Sequence, residues 1–252
     1  MGIRSRRDMK IPNFIIVGAM KSGTTTLSDM LAKHPEIHIP SAEAHFFNNK
    51  FEKGVGFYKW MLTQGAAEGV RLFGEKTPTY SYLAHIPGRI AKTCPDAKII
   101  WILRDPVDRT FSNYLHAINA GKEPESFEYA LEHEEERLAE NVFKGYRRRS
   151  IYAEQIRRYL EHFGMDQMFF MSFEDMILPY DEDHVLNELF AFLGISPEGY
   201  SFPVSHKNPT TVRNSRMSEA TRRELEEFFL PHNEDLFGLI GKWFVWSSEG
   251  KG

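Results

Sequence analysis

Three short stretches of the chain are almost free of polar residues. They are Phe14-Ile15-Ile16-Val17-Gly18, the run Ile99-Ile100-Trp101-Ile102-Leu103 that follows Lys98, and Met168-Phe169-Phe170-Met171. Each has the length of a strand and lacks the alternation of a strand with one wet face, so each reads as a strand buried on both sides. Between these runs apolar residues recur at helical spacing. Leu27, Met30 and Leu31 follow the first run, and Tyr152, Ile156, Tyr159, Leu160 and Phe163 share a face before the third, with Gly164 placed as a stop. Leu186, Leu189, Phe190 and Leu193 form another stripe closed by Gly194, and Leu225, Phe228 and Phe229 a short one that ends at Pro231. Pro106 suits the first position of a helix after the second run, where its missing N–H is not needed. Buried strands alternating with amphipathic helices imply an α/β fold with a central parallel sheet flanked by helices. No repeat, low-complexity tract or linker divides the chain. Residues 1–252 are therefore expected to form a single domain, with 1–10 flexible.

The segment Gly18-Ala19-Met20-Lys21-Ser22-Gly23-Thr24-Thr25-Thr26 joins the first strand to the first helix. A glycine-rich turn at a helix N-terminus is an anion site, because the backbone comes close, its N–H groups lack intrahelical partners, and the dipole favours negative charge. Lys21 adds a full charge and the threonines add hydroxyls. In the nucleoside triphosphatase pattern G-x-x-x-x-G-K-[ST], Gly18 and Gly23 keep their separation, but Thr24 stands where the lysine belongs and the lysine sits at 21. No acid at the end of a later strand is placed to hold magnesium. A nucleotide kinase-like phosphotransferase is thus a second reading, and a non-catalytic nucleotide-binding protein a third.

Lys21-Ser22-Gly23-Thr24-Thr25-Thr26-Leu27 after an apolar strand resembles the 5′-phosphosulfate loop of sulfotransferases that use 3′-phosphoadenosine 5′-phosphosulfate (PAPS). Arg104-Asp105-Pro106-Val107-Asp108-Arg109-Thr110-Phe111-Ser112 is similar to the 3′-phosphate element of the same family, in which an arginine at a strand end and a serine in the next helix hold that phosphate. Ser112 falls about two turns into its helix, so both donors can converge on one phosphate. The resemblance implies a P-loop-like fold with PAPS as donor. It implies contacts to the nucleotide from Lys21, Ser22, Gly23, Thr24, Thr25, Thr26, Arg104 and Ser112. A late basic segment, His206 to Arg216, matches a loop that closes over the nucleotide; it adds Arg213, with Lys207 and Arg216 as equal candidates. The likeness extends to Tyr152-Ala153-Glu154-Gln155, Phe173-Glu174-Asp175 and Pro231-His232-Asn233-Glu234, and is strongest toward heparan-sulfate-type and bacterial stand-alone members.

Sulfuryl transfer to a hydroxyl needs an in-line acceptor oxygen, a base for its proton, and positive charge on the leaving phosphate. Ser41-Ala42-Glu43-Ala44-His45-Phe46-Phe47 resembles the segment that carries the base in the heparan sulfate group. That likeness implies Glu43 as base, with His45 as a supporting or alternative base. An extended backbone would place Glu43, His45 and Phe47 on one side. The family often has an acid at the position of Asn48. Glu75-Lys76-Thr77-Pro78-Thr79-Tyr80 resembles another element near the acceptor, which implies charge stabilisation or acceptor binding by Lys76. Lys21 is expected to neutralise the leaving phosphate.

Composition narrows the partners. With 31 basic and 35 acidic residues the net charge is −4, so a general nucleic-acid binder is not expected. The single cysteine, Cys94, leaves no internal disulfide and no thiolate cluster. His and carboxylates do not gather at ligand spacing, so no metal is expected. No apolar run approaches the ~20 residues of a bilayer span, and Met1 to Arg7 lacks the apolar stretch of a secretory signal; a cytoplasmic enzyme is expected. Arg147-Arg148-Arg149 reads first as a solvated face, with attraction of an anionic acceptor as the alternative. Glu132 to Glu136 reads as an exposed helix surface. The acceptor, small molecule or glycan, is expected to offer a hydroxyl rather than an amine.

Overall fold

The apolar runs are the middle and one edge of a parallel sheet. β1 (Phe14–Gly18), β4 (Lys98–Leu103) and β5 (Met168–Ser172) coincide with them, and nearly every residue in the three is buried. The computed structural model describes residues 11–178, 184–197 and 216–246. Within these, β2 (Ile37–His38) and β3 (Leu72–Lys76) complete a five-stranded sheet of order β2-β3-β1-β4-β5, all pairs parallel. Apolar patterning alone does not reveal these two. β2 has two residues, and β3 reads Leu-Phe-Gly-Glu-Lys, with its polar members buried.

Helices cover both faces, as parallel crossovers require. Alternate strand residues sort between them. Ile15, Val17, Ile99, Trp101 and Leu103 join a core with Ile90 of α3 (Ile86–Thr93), Tyr58 and Leu62 of α2 (Gly54–Thr63), and Ile156 and Tyr159 of α7 (Tyr152–Leu160). Phe14, Ile16, Ile100 and Ile102 face the other core, with Leu27 and Leu31 of α1 (Thr24–Leu31) and Leu189 and Phe190 of α9 (Val185–Leu193). A smaller cluster lies between α4 (Pro106–Asn119), α5 (Phe127–Glu132) and α10 (Glu219–Ile240).

Helix ends follow the expected chemistry in part. Asp105 caps α4, its carboxylate accepting from Val107 N–H at 2.8 Å and Asp108 N–H at 3.1 Å, with Pro106 first in the helix. Gly194 closes α9 in the left-handed conformation. Two endings differ. α7 stops at Leu160 rather than at Gly164, whose φ is −70°. α10 continues through Pro231 to Ile240, because Leu225 and Phe229 before the proline and Leu236 and Phe237 after it are all buried. Packing on both sides outweighs the one hydrogen bond that a proline removes.

The sheet order fixes where a ligand can sit. From β1 the chain runs to one side of the sheet through β2 and β3, then crosses to the other side for β4 and β5. The crevice at the carboxyl ends of β3, β1 and β4 is therefore the topological switch point, the place where open α/β sheets bind ligands. Among the described residues no helix is long and apolar enough to cross a membrane.

Candidate active site

Three strand ends deliver the site. β1 ends at Gly18, where a Cβ would come within 2.6 Å of Ser81, so only glycine lets this turn pack. The chain then curls back on itself, Ser22 N–H donating to Ala19 C=O at 3.2 Å, with Lys21 at φ 73° and Gly23 at φ 85°. Gly23 precedes α1, whose first-turn N–H groups have no intrahelical acceptors. No acidic residue occupies that first turn. The loop thus presents backbone donors and one lysine.

β4 ends one residue before Arg104, whose Nη1 donates to the Lys21 carbonyl at 3.3 Å and ties the two units together. The Arg104 guanidinium lies over the Phe173 ring, on α8 (Phe173–Met176), and its buried Nε has no hydrogen-bond partner among the described residues. Burial and the neighbouring Arg104 hold the Lys21 ammonium below its ordinary lysine value. Two cations share one crevice, and the Asp108 carboxylate, which pairs with Arg222 at 2.9 Å, reaches Arg104 at 3.8 Å. Ser112 is buried on α4, two turns along from the cap. The donor set (backbone N–H, ammonium, guanidinium and hydroxyls) is that of a site for a polyanion. A nucleotide that carries a phosphosulfate and a 3′-phosphate fits this donor set in chemistry. Not every loop hydroxyl faces the crevice. Ser22 is fully buried beside Tyr152, and Thr24 and Thr26 are almost so, leaving Thr25 as the half-open one.

β3 supplies the other half. Lys76, its last residue, is only 7% exposed, and its Nζ donates to Thr25 Oγ1 at 3.2 Å and Glu43 Oε1 at 3.1 Å. Glu43 Oε2 meets His45 Nε2 at 3.1 Å. On the far side of the ring, Asn48 Nδ2 donates to His45 Nδ1 at 3.3 Å. An Nδ1 that accepts leaves the proton on Nε2, so the imidazole donates to Glu43. Asn48 therefore selects the tautomer. The expected extended run does not occur. His45 adopts φ 48° and opens a π-helical turn over Phe46–Lys50, which sends Phe47 into the core and leaves Glu43 and His45 together, each about a third exposed.

Two further expectations are corrected. Arg149 does not lie on a solvated face: it is 4% exposed, between the Tyr82 and Phe143 rings. Its Nη1 shares the Asn113 carbonyl with Arg109, at 3.1 and 3.2 Å, and its Nη2 meets Met20 Sδ at 3.3 Å. Burial and the Arg109 charge push its pKa down to about 9. Glu134 is also buried, accepting from Arg147 N–H at 2.6 Å and Arg148 N–H at 3.3 Å. The acidic and basic runs meet each other. The one signal that could have shown Arg109 is its i,i+4 spacing from Asn113 on α4. Arg213 and Lys207 lie outside the described residues. Cys94 is a free, buried thiol. Among the described residues, no three His, Cys, Asp or Glu side chains are grouped to hold a metal ion.

Comparison with known proteins bears on this geometry. The sequence model of the sulfotransferase domain family matches residues 12–234. Heparan sulfate glucosamine 3-O-sulfotransferase 3A1 of Mus musculus is 27% identical over 94% of this chain. The membrane-associated sulfotransferase kil1 of Dictyostelium discoideum is 26% identical, also over 94%. The chain spans about two thirds, 65%, of the length of the mouse relative. The crystal structure of a sulfotransferase from Alicyclobacillus acidocaldarius superposes with a TM-score of 0.78 at 32% identity, covering 93% of this chain and 98% of that one. The sulfotransferase domain from the curacin biosynthetic pathway shares the fold, at a TM-score of 0.52.

Proposed function

Because the chain belongs to the sulfotransferase domain family, we propose that it moves a sulfuryl group from PAPS to a hydroxyl of a carbohydrate, lipid-linked metabolite or acyl-chain acceptor. One observation carries this reading. The Lys76 ammonium joins the anion loop, through Thr25, to the Glu43 carboxylate, which supports reading that carboxylate as a base beside a polyanion cradle.

PAPS supplies an activated S–O bond whose cleavage releases adenosine 3′,5′-bisphosphate. In this chain Lys21 and the first-turn N–H groups of α1 meet the charge that grows on the leaving phosphate. Arg104 and Ser112 anchor the 3′-phosphate and so fix the register of the nucleotide. Glu43 takes the proton of the acceptor hydroxyl as the acceptor oxygen bonds to sulfur. His45 is a weaker candidate for that step, since Asn48 occupies its Nδ1 lone pair and its Nε2–H points at Glu43. Lys76 and His45 hold the carboxylate in place, each on one oxygen, and each oxygen keeps a lone pair for the incoming proton. The 3-O-sulfotransferase relatives favour transfer to oxygen and a glycan acceptor.

Purified protein with ³⁵S-labelled PAPS and separate pools of glycan, phenol, steroid and acyl-thioester acceptors tests the proposal. Label should move to a hydroxyl-bearing pool with release of adenosine 3′,5′-bisphosphate. Nucleotide binding without transfer to any pool would favour a non-catalytic protein, and turnover that requires ATP and magnesium would favour a phosphotransferase.

A further inference from the structure

Glu75 has no role in the chemistry above, yet it lies one residue from Lys76 and is 1% exposed. Neighbouring strand residues point to opposite faces, so Lys76 reaches the crevice while Glu75 enters the core beneath it. No basic side chain reaches its carboxylate within salt-bridge distance among the described residues; hydroxyls surround it. Tyr58 donates to Oε2, Thr77 donates to Oε1 at 3.0 Å, and Tyr80 also hydrogen-bonds to it. A buried carboxyl with only hydroxyl donors must repay its desolvation through those bonds.

Each hydroxyl has one proton. With those of Thr77 and Tyr80 directed at Glu75, both oxygens can only accept from elsewhere. They accept from backbone N–H groups of the turn that carries the proposed base: His45 N–H to Thr77 Oγ1 at 3.3 Å, and Phe47 N–H to Tyr80 Oη at 3.1 Å. These two bonds bracket the left-handed His45 and the start of the π-helical turn. The opposite side is held by Lys50, donating to Ala44 C=O at 2.7 Å, and Arg89, donating to Phe47 C=O at 2.6 Å. We propose that Glu75 is a positioning residue for Glu43 and His45: a buried acceptor that orients the protons of Thr77 and Tyr80 and thereby pins the turn bearing both side chains. This inference rests on the reading of Glu43 as the base, with His45 holding its carboxylate.

Glu75→Gln keeps the shape but replaces one acceptor with an NH₂ donor. At least one of the three hydroxyls must then turn its proton away, and with a single acceptor oxygen left the protons of Thr77 and Tyr80 are no longer both held away from the backbone N–H groups. Amide hydrogen exchange of the full chain with adenosine 3′,5′-bisphosphate bound should show His45 and Phe47 exchanging at least tenfold faster in Glu75→Gln, relative to Ile99 and Ile100. Transfer to the best acceptor of the panel should lose at least tenfold in kcat, with the nucleotide Kd within twofold of wild type. Thr77→Val should speed exchange at His45 and lower kcat, and Thr77→Ser should restore both. Variants that only lower Tm, with kcat and both exchange rates as in wild type, would overturn the proposal. Should Glu75→Gln not fold, equal kcat for Thr77→Val and Thr77→Ser overturns it alone. Glu43→Gln in the same assay keeps the two ideas apart: if it stays active, the base assignment fails while the exchange result still stands or falls by itself.

Discussion

β1 and β3 lie side by side, pair in parallel and end in the same crevice, yet they carry their chemistry in opposite ways. β1 is buried throughout and places its functional groups after it ends, in backbone N–H groups and Lys21. β3 holds Glu75 and Lys76 within the strand, both buried, each needing specific partners. An apolar strand is secured by the area it buries and asks nothing of the loop that follows. A strand with buried ionisable residues couples folding to function, because the groups that position the reaction are also those whose desolvation must be met. Replacing the Lys21 side chain should therefore alter rate far more than stability, and substitutions around β3 should alter rate and stability together.

The largest effect belongs to the carboxylate held at the end of β3 by Lys76. Glu43→Gln removes the proton acceptor while keeping shape and a contact to His45, and kcat should fall by about 10³-fold, within the range for loss of a general base. Nucleotide affinity, measured by calorimetry, should stay near wild type; a large loss of affinity would place Glu43 in nucleotide binding instead. Next, Lys21→Ala should lower kcat by about 10²-fold, as for other lost transition-state charge partners, with no loss of Tm at neutral pH. A loop variant that unfolds the protein would break the contrast. Lys76→Ala sharpens it from the other side. It strips Glu43 and Thr25 of their shared donor, so kcat should drop by about tenfold and stability by about 1–2 kcal/mol in urea titration, the scale for removing a partner from a part-buried charged hydrogen bond.

The same contrast explains what could be read from the chain. β1, β4 and β5 were legible because a strand covered on both faces must be apolar, and the glycine loop because close backbone approach to an anion demands glycine. β3 was not, since burial of Glu75 depends on Tyr58 and Tyr80, and that of Lys76 on Thr25 and Glu43, residues that only the fold brings together. The pairing of Glu43 with His45 was visible as a motif, but its geometry was not: alternation assumes an extended backbone, and the turn at His45 is imposed by bonds to Thr77 and Tyr80, more than thirty residues away. Arg149 misled for a related reason. Three arginines in a row suggest solvent, whereas Met20 and Asn113, distant in sequence, cover the third.

The smallest expected effect is the most direct probe of the loop. Burial and Arg104 hold Lys21 below its ordinary value of 10.5, so it loses its proton before exposed lysines do. The charged form binds the nucleotide anion, and affinity for adenosine 3′,5′-bisphosphate should therefore fall several-fold as pH rises from neutrality toward 10.5, beginning below that value. Stability moves the other way. A base with a depressed pKa binds fewer protons folded than unfolded between its two pKa values, so in that window the contribution of Lys21 to stability rises with pH. Binding and folding thus respond with opposite sign to one proton. Calorimetry and urea titration across this range should show both trends in the wild type. Lys21→Ala should remove each, and a variant that keeps the affinity loss would move its origin to Arg149, whose pKa is pushed down to about 9 and whose Nη2 meets Met20 of the loop.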